Sequence, residues 1–529
     1  MKRKLFLTLF FISGYLFSQQ EQKSIELPDF VITGRQSVEV QPAIKKKPEL
    51  FSILAQEFFT PQYSPEELPL MLSSRPQKIV PAISAGDDYN SGKLFIGGGR
   101  YMLPVGNFSL SKSFDNVLLS TGLWGSNTKE YITNAGYNAS GANFNSTFFV
   151  DTDSDVLAGT IIKLDGEYWR DNYKFYGSFN PTYERKTNRG SGSLSIKNDY
   201  YGIFNFGLKF NADFTTIVEN NIKERVLSVD GGVGFKLGDM TIGGNGIYTK
   251  QIVDNNIGGI KNYNFYLIDG FVKLIPTNDI NLILGIETSG LSNNSFFSPF
   301  ALLHLKMAEG LSIDLNFKPH AQNFTIKDFL LENPYLRYGL TDNVFREVKF
   351  NLNGAINYEF DKLFAMNVWG NYSRIDNFHF YEDTIPFGFF DLLKINGVKL
   401  LSAGINMIVY PNQFGFFKGE VKFQDVKDNN GKYVPYNPSY LANLSYSHKL
   451  TTELGFKFKY TFADNSYGDI LNKVKLNSYH NLSANISYEV IKNLSLSVDF
   501  QNILNRSNFV LKGYQEKPFD ILLGAEYRW

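Results

Sequence analysis

The chain has 529 residues, no cysteine, and 52 basic against 52 acidic side chains, so its formal charge is zero. Disulfide scaffolds, thiolate metal centres and cysteine-linked lipid are excluded, and the charge balance gives no sign of a nucleic-acid partner. With Phe 48, Tyr 31 and Gly 45 at a mean hydropathy of −0.20, the composition is too polar for a bundle of membrane helices. It suits strands that turn one face to lipid and the other to water.

Residues 1–18 read as a secretory signal. Lys2-Arg3-Lys4 precede an apolar run from Leu5 to Phe17, and cleavage is expected after Ser18. An uncleaved anchor is the competing reading, although the run is short for a span. Setting the three basic residues aside leaves a net charge of about −3. Residues 19–90 contain Pro28, Pro42, Pro48, Pro61, Pro65, Pro69, Pro76 and Pro81, a density that breaks helices and central strands alike. This stretch is expected to be an extended periplasmic arm, with one strand-like patch at Phe30-Val31-Ile32 and a short helix around Pro48 to Phe59.

From Ser91 onward, apolar and polar residues alternate with period two, which is the signature of half-buried strands. Phe204, Phe206, Leu208 and Phe210 alternate with Asn205, Gly207 and Lys209, and Leu494, Leu496, Val498 and Phe500 with Ser495, Ser497 and Asp499. No later segment approaches 18 apolar residues, so membrane embedding must be by strands in a closed barrel. Short polar links at 198–199, 237–239, 277–279, 308–310 and 491–493 are hairpin turns. Longer links fall near His320–Asn343, Tyr381–Asn396, Val426–Pro438, Ala463–Ser478 and Asn505–Lys517. Residues 91–529, at roughly 20 residues per strand and link, give about 22 antiparallel strands. The last strand puts Phe519, Ile521, Leu523, Tyr527 and Trp529 on one face, and closes the barrel against a first strand near Ser91. The fold expected is all-β: a transmembrane antiparallel barrel with a short N-terminal arm.

Several segments resemble the barrel of TonB-dependent outer-membrane receptors. The closing pair of strands carries Asn502-Ile503-Leu504-Asn505, then Gly513-Tyr514, then a last strand ending in an aromatic, as that family's barrels do. Leu331-Glu332-Asn333-Pro334-Tyr335-Leu336 is similar to the Asn-Pro segment ahead of a mid-barrel strand. In the arm, Asp29, Phe30, Val31, Ile32, Thr33 and Gly34 resemble the TonB box, a segment captured by strand addition. The resemblance implies a Gram-negative outer membrane, with contact to its lipid, recognition of the final strand by the barrel-assembly machinery, and TonB or another periplasmic or outer-membrane protein bound through the arm. It also implies a plug domain of roughly 130 residues between box and barrel. Here only about 55 residues separate Gly34 from the first strand, and no plug motif appears.

No catalytic constellation is evident and no cofactor or metal is expected. His304, His320, His379, His448 and His480 have no ligand spacing. Asp151-Thr-Asp153-Ser-Asp155 imitates half a calcium loop but lacks its Gly and Glu, and reads as a solvated turn or an adventitious cation site. Gly97-Gly98-Gly99 reads as relief of barrel curvature. Most aromatics are expected on the lipid face and its girdles, with Phe387, Phe389, Phe390, Tyr433 and Tyr436 on loops able to touch a ligand. Three functions stay open: solute transport, a plugless scaffold within an outer-membrane assembly, and a passive pore whose lumen is open or filled by the arm, by loops or by a partner.

Overall fold

The computed structural model describes residues 91–529 except 155–156, 200–201, 257, 293, 338–343, 362, 384–386 and 411–414. The signal-like segment and the arm, Asp29–Gly34 included, lie outside the described residues. The first strands are β1 (Gly92–Gly99), β2 (Met102–Phe114), β3 (Val117–Thr128), β4 (Tyr137–Phe149), β5 (Ile161–Lys174), β6 (Glu184–Asn198), β7 (Phe204–Ile217), β8 (Ile222–Leu237) and β9 (Met240–Asn255). Then come β10 (Gly259–Thr277), β11 (Ile280–Leu291), β12 (Asn294–Ala308), β13 (Leu311–Phe317), β14 (His320–Phe324), the helix α1 (Ile326–Glu332), β15 (Val344–Phe360) and β16 (Phe364–Asp376). The chain ends with β17 (Phe378–Asp383), β18 (Phe390–Ile395), β19 (Val398–Val409), β20 (Phe416–Lys427), β21 (Tyr440–Lys449), β22 (Leu454–Asp464), β23 (Tyr479–Ile491), β24 (Leu494–Gln501), β25 (Phe509–Leu511), β26 (Tyr514–Gln515) and β27 (Asp520–Arg528).

One sheet of 23 strands runs right round the molecule, each strand antiparallel to its neighbours. Strands β13 and β14 both pair with β15 and form a single stave broken at Lys318-Pro319, so the barrel has 22 staves. Pro319 has no N–H to give to a ladder, and its carbonyl accepts from Ser298 Oγ at 2.7 Å instead. Two small hairpins, β17–β18 and β25–β26, stand apart from the barrel sheet.

The seam is the pairing of β1 with β27, where Leu94 faces Tyr527, Ile96 faces Ala525 and Gly99 faces Leu522. Gly92 and Trp529 exchange two backbone hydrogen bonds of 3.0 and 3.1 Å. Gly99 is required by close approach: a Cβ there would lie 2.3 Å from the carbonyl oxygen of Ile521. The glycine run that the sequence suggested for curvature thus sits at the closure itself.

Both ends of the barrel chain lie on one rim, called here the terminal rim. Every tight turn read from the sequence falls there, between β6 and β7, β8 and β9, β10 and β11, β12 and β13, and β23 and β24. The opposite rim carries the longest excursions. Two of these hold more structure than the sequence indicated: His320–Asn343 contains β14 and α1, and Tyr381–Asn396 overlaps the β17–β18 hairpin.

The outer face is apolar, with Ile96 58 % and Leu523 60 % exposed and Leu123, Leu227, Ile286, Leu352 and Ile405 comparably bare. Hydrocarbon is the solvent such a wall fits. The inner face is polar and its side chains are tied across strands. Asn357 donates to Asp314 at 2.6 Å, Asn367 to Asn357 at 2.6 Å, and Asn406 to Asn367 at 3.2 Å, linking β13, β15, β16 and β19 in one belt. The tryptophans depart from the expected girdle. Trp124 and Trp169 meet edge to face on the inner wall at 5.0 Å, and Trp369 shares the inward face of β16 with Asn367 and Asn371. Only Trp529 faces outward, beside Phe108 and Tyr527.

Candidate functional site

The functional candidate is the mouth at the loop rim, where segments from six links fold over the lumen. Its anchor is the Asn333-Pro334-Tyr335-Leu336 segment that follows α1. Arg185, buried on the inward face of β6, donates from Nη1 to the carbonyls of Pro334 and Leu336 at 2.8 and 2.7 Å. The Tyr173 hydroxyl on β5 donates to Pro334 O at 2.7 Å. The Arg185 guanidinium also stacks 4.5 Å from the centroid of Phe175. A buried arginine that satisfies two carbonyls and covers a ring is well suited to pin a loop, since its planar fork is already organised.

Aromatic packing builds outward from that anchor. Phe329, Leu336, Tyr381, Phe390, Leu511 and Tyr514 form one buried cluster, joined by Tyr176, Phe324, Tyr335, Leu392 and Tyr436. Tyr335 stacks on Tyr514, and the Tyr514 hydroxyl donates to Gly388 O at 2.6 Å. Tyr176 and Tyr131 both donate to Gln515 O, at 2.6 and 2.9 Å. Gly388 has φ +80°, and a Cβ there would fall 2.3 Å from Ser178 Cα. Main-chain bonds complete the weave: Arg337 N to Phe390 O at 2.7 Å and Phe179 N to Phe387 O at 3.1 Å.

The helix α1 is fixed to the inner wall beside this cluster. Thr325 and Asp328 form a capping box. Glu224, inward on β8, accepts from Ile326 N at 2.8 Å, Lys327 N at 3.2 Å and Gln251 Nε2 at 2.6 Å. Lys327 reaches Asp213 at 2.7 Å. Ile326 and Leu330 pack on Ile217, Ile222 and Val253 of β7, β8 and β9. Below the Arg185 anchor, Asp171 pairs with Arg189 and accepts from Tyr137 at 2.8 Å and Thr187 at 3.2 Å. This carboxylate is buried but fully partnered, as burial demands.

At the other end of α1, Glu332 meets the β17–β18 hairpin. Arg346 Nη2 lies 2.8 Å from His379 Nδ1. Arginine only donates, so Nδ1 accepts, and the Nε2–H is the group that donates to Glu332 at 2.9 Å. That assignment makes His379 neutral. Burial holds its pKa below the ordinary histidine value; the Glu332 carboxylate pulls the other way and is outweighed. Burial alone would raise Glu332, but hydrogen bonds from His379 and Tyr381 and nearby positive charge bring it below the usual carboxylate range.

The residues singled out in sequence are distributed as follows. Ile521, Leu523, Tyr527 and Trp529 lie exposed on the outer face of β27, and Phe519 precedes it with its N–H on Asn505 Oδ1 at 3.0 Å. Of the loop aromatics, Phe387 is exposed, whereas Phe390 is buried and Phe389 stacks on Phe175 at 4.9 Å. Tyr433 stacks on Tyr467, and Tyr436 packs against Phe390. Phe389, Phe390 and Tyr436 thus belong to the packed loop cluster, whereas Phe387 stays exposed. Asp151 accepts from Asn116 at 2.9 Å on the terminal rim, and Asp155 lies outside the described residues. Among the described residues, no three His, Asp or Glu side chains gather as a metal site. Arg185, Glu224 and the Glu332–His379–Arg346 chain had no sequence signal beyond the Asn-Pro segment they surround.

No family model matches this chain and no curated protein matches it. Solved structures do. The ferric-catecholate import receptor Fiu of E. coli K12 aligns over 84 % of this chain and 82 % of its own with a TM-score of 0.63 at 10 % identity. The siderophore receptor PiuA of Acinetobacter baumannii aligns over the same shares with a TM-score of 0.63 at 12 % identity. The copper transporter OprC gives 0.62 at 10 %, over 84 % and 82 %. The chain therefore has the fold of an outer-membrane transmembrane β-barrel. In stave number and closure its fold matches the barrel of TonB-dependent receptors. The neighbours named are import receptors and transporters, not enzymes.

Proposed function

We propose that the protein is an outer-membrane receptor that carries a solute through its barrel, with the loop rim facing outward and the terminal rim facing the periplasm. The observation that carries this reading is the packing that joins loops from several links at the mouth. A lumen lined with polar side chains serves passage, and the cluster around Arg185, Tyr335 and Tyr514 requires an opening event before passage can occur. In this reading residues 19–90 are periplasmic, and Asp29–Gly34 is the strand that an energy-transducing protein captures. Deleting residues 25–35 is expected to abolish solute uptake by whole cells while leaving the barrel folded in the membrane. Undiminished uptake by that deletion overturns the energised reading.

The short connection between Gly34 and β1 favours a second reading, in which the barrel is one subunit of an outer-membrane assembly and the proline-rich arm docks its partner. Purification in a mild detergent separates the two: a stoichiometric companion protein supports the assembly, and a lone barrel with intact uptake supports the receptor.

A further inference from the structure

Trp369 is a bare indole in a wall of amides. Its chain neighbour Val368 pairs with Ile356 and Ile405, which lie exposed on the outer face, so Trp369 faces the lumen. The residues opposite it are small, Ala355 on β15 and Gly404 on β19. Gly404 lets the ring lie flat on the sheet, since a Cβ there would fall 2.7 Å from Cζ2 and 2.9 Å from Nε1 of Trp369. Trp124 uses the same device over Gly141, where a Cβ would fall 2.6 Å from its ring. The two differ in what lies above them. Trp169 meets Trp124 edge to face. Over Trp369, among the described residues, there is no ring and no cation, and its Nε1–H has no partner. The half-buried indole therefore rests one face on the sheet and turns the other to the lumen.

A frame of amides surrounds that face. Asn367 and Asn371 flank the ring along β16, each about 7 Å away, and Asn353 and Asn406 stand on the diagonals. Part of the frame is tied into the inner belt: Asn367 accepts from Asn406 and donates to Asn357, and Asn371 donates to Asn351 at 2.7 Å. The rest is uncommitted. Among the described residues the Asn353 amide makes no hydrogen bond and Asn406 Oδ1 accepts none. An amide offers a donor and an acceptor without charge. The nearby carboxylates are answered: Asp314 by His304 and Asn357, and Glu420, opposite Asn406, by Lys418 and Lys422 on its own strand.

A one-sided platform inside a neutral hydrogen-bonding frame matches the chemistry of a sugar ring. One side of a pyranose is a layer of C–H groups with slight positive charge, which complements the negative face of an indole. Its hydroxyls point out from the ring edge, where neutral donors and acceptors are required. A planar heteroaromatic ring would also stack there, but it has fewer edge groups to engage the amides. We propose that Trp369, Asn353 and Asn406 form a saccharide-binding subsite on the lumen wall, and that the solute carried is a neutral oligosaccharide. The second clause rests on the transport reading above; the subsite itself does not.

The test is calorimetric titration of the full chain in a polyoxyethylene detergent, which carries no sugar, with maltoheptaose and with cellohexaose. Saturable binding of at least one is expected. Trp369→Ala should weaken it about tenfold or more by removing the stacked face, and Asn353→Ala roughly fivefold by removing one hydrogen bond. Trp124→Ala, the same truncation on β3, is expected to bind as the parent does. No saturable binding of either oligosaccharide, or equal loss in the two tryptophan variants, overturns the subsite. Saturable binding of adenosine with both oligosaccharides silent overturns the saccharide class. Heat-modifiability on gels reports that each variant barrel is folded. Binding in detergent needs no energised uptake, so the outcome of deleting residues 25–35 leaves this result untouched and the two readings fall separately.

Discussion

At the residue scale, Arg185 carries the closure. It is almost wholly buried, and its two charge-assisted bonds hold the backbone that follows α1. Hydrogen bonds to a charged group contribute about 1.5–3 kcal/mol each, and a carbonyl left unpaired costs a comparable amount. Arg185→Ala is accordingly expected to loosen the anchor by about 3 kcal/mol or more. In a planar lipid bilayer the parent barrel is expected to be silent and the variant to conduct in bursts. Steady conductance by the parent shows that the mouth is not shut and removes the basis of the proposed gating.

At the scale of elements, α1 and the β17–β18 hairpin meet through ionisable groups, so their contact depends on pH. His379 has a folded pKa below its ordinary 6.5, and Glu332 one below its ordinary 4.5. In both cases the detached state binds more protons than the packed one, so the packed state gains stability as pH rises. His379 contributes fully above about 6.5 and loses its share as pH falls toward its depressed value; Glu332 does the same below 4.5. Bilayer conductance is expected to rise on acidification in that order. His379→Gln, whose amide can accept from Arg346 and donate to Glu332, is expected to erase the onset near 6.5 and leave the lower one. An unchanged onset in that variant places the titration elsewhere.

The strands make a separate prediction. Val229 lies outward in the middle of β8. Val229→Arg puts a charge on the lipid face, which costs about 2–4 kcal/mol near the bilayer midplane. Urea unfolding from liposomes should report a loss of that size, whereas an inward change on the same strand, Ser228→Arg, should cost much less. Equal losses contradict the assignment of faces.

At the scale of the whole molecule, the barrel was legible because its physics is local. Two solvents, one on each side of a single layer, impose period-two alternation on the staves, and β7 displays it from Phe204 to Thr215 and β24 throughout. The missed elements lack that two-solvent contrast. In β17, Phe378, His379, Phe380 and Tyr381 are all buried, because loops cover both faces, so no alternation exists to be read. β14 reads as a loop after Pro319 and is a strand only because β15 offers a ladder from Val344 to Val348. The closure was illegible for a further reason. Glu224 finds the start of α1 across about 100 residues of chain, and Arg185 finds Pro334 across about 150. Nothing near either residue in sequence marks it. The tryptophans misled for the opposite reason, since their usual place at a membrane interface is a statistical habit, and here Trp124, Trp169 and Trp369 line the inner wall.

The seam between β1 and β27 also dictates an order of events. Its partners lie at opposite ends of the barrel chain: Tyr101 N–H reaches Asp520 at 3.2 Å across 419 residues. Until the ribosome has released the final strand, β1 and β24 each expose a row of unpaired amides and carbonyls, and such edges recruit other chains. The sheet therefore stays open until the chain is complete, and only then can it become a cylinder. A chain lacking Asp520–Arg528 would keep both edges open for as long as it lasts.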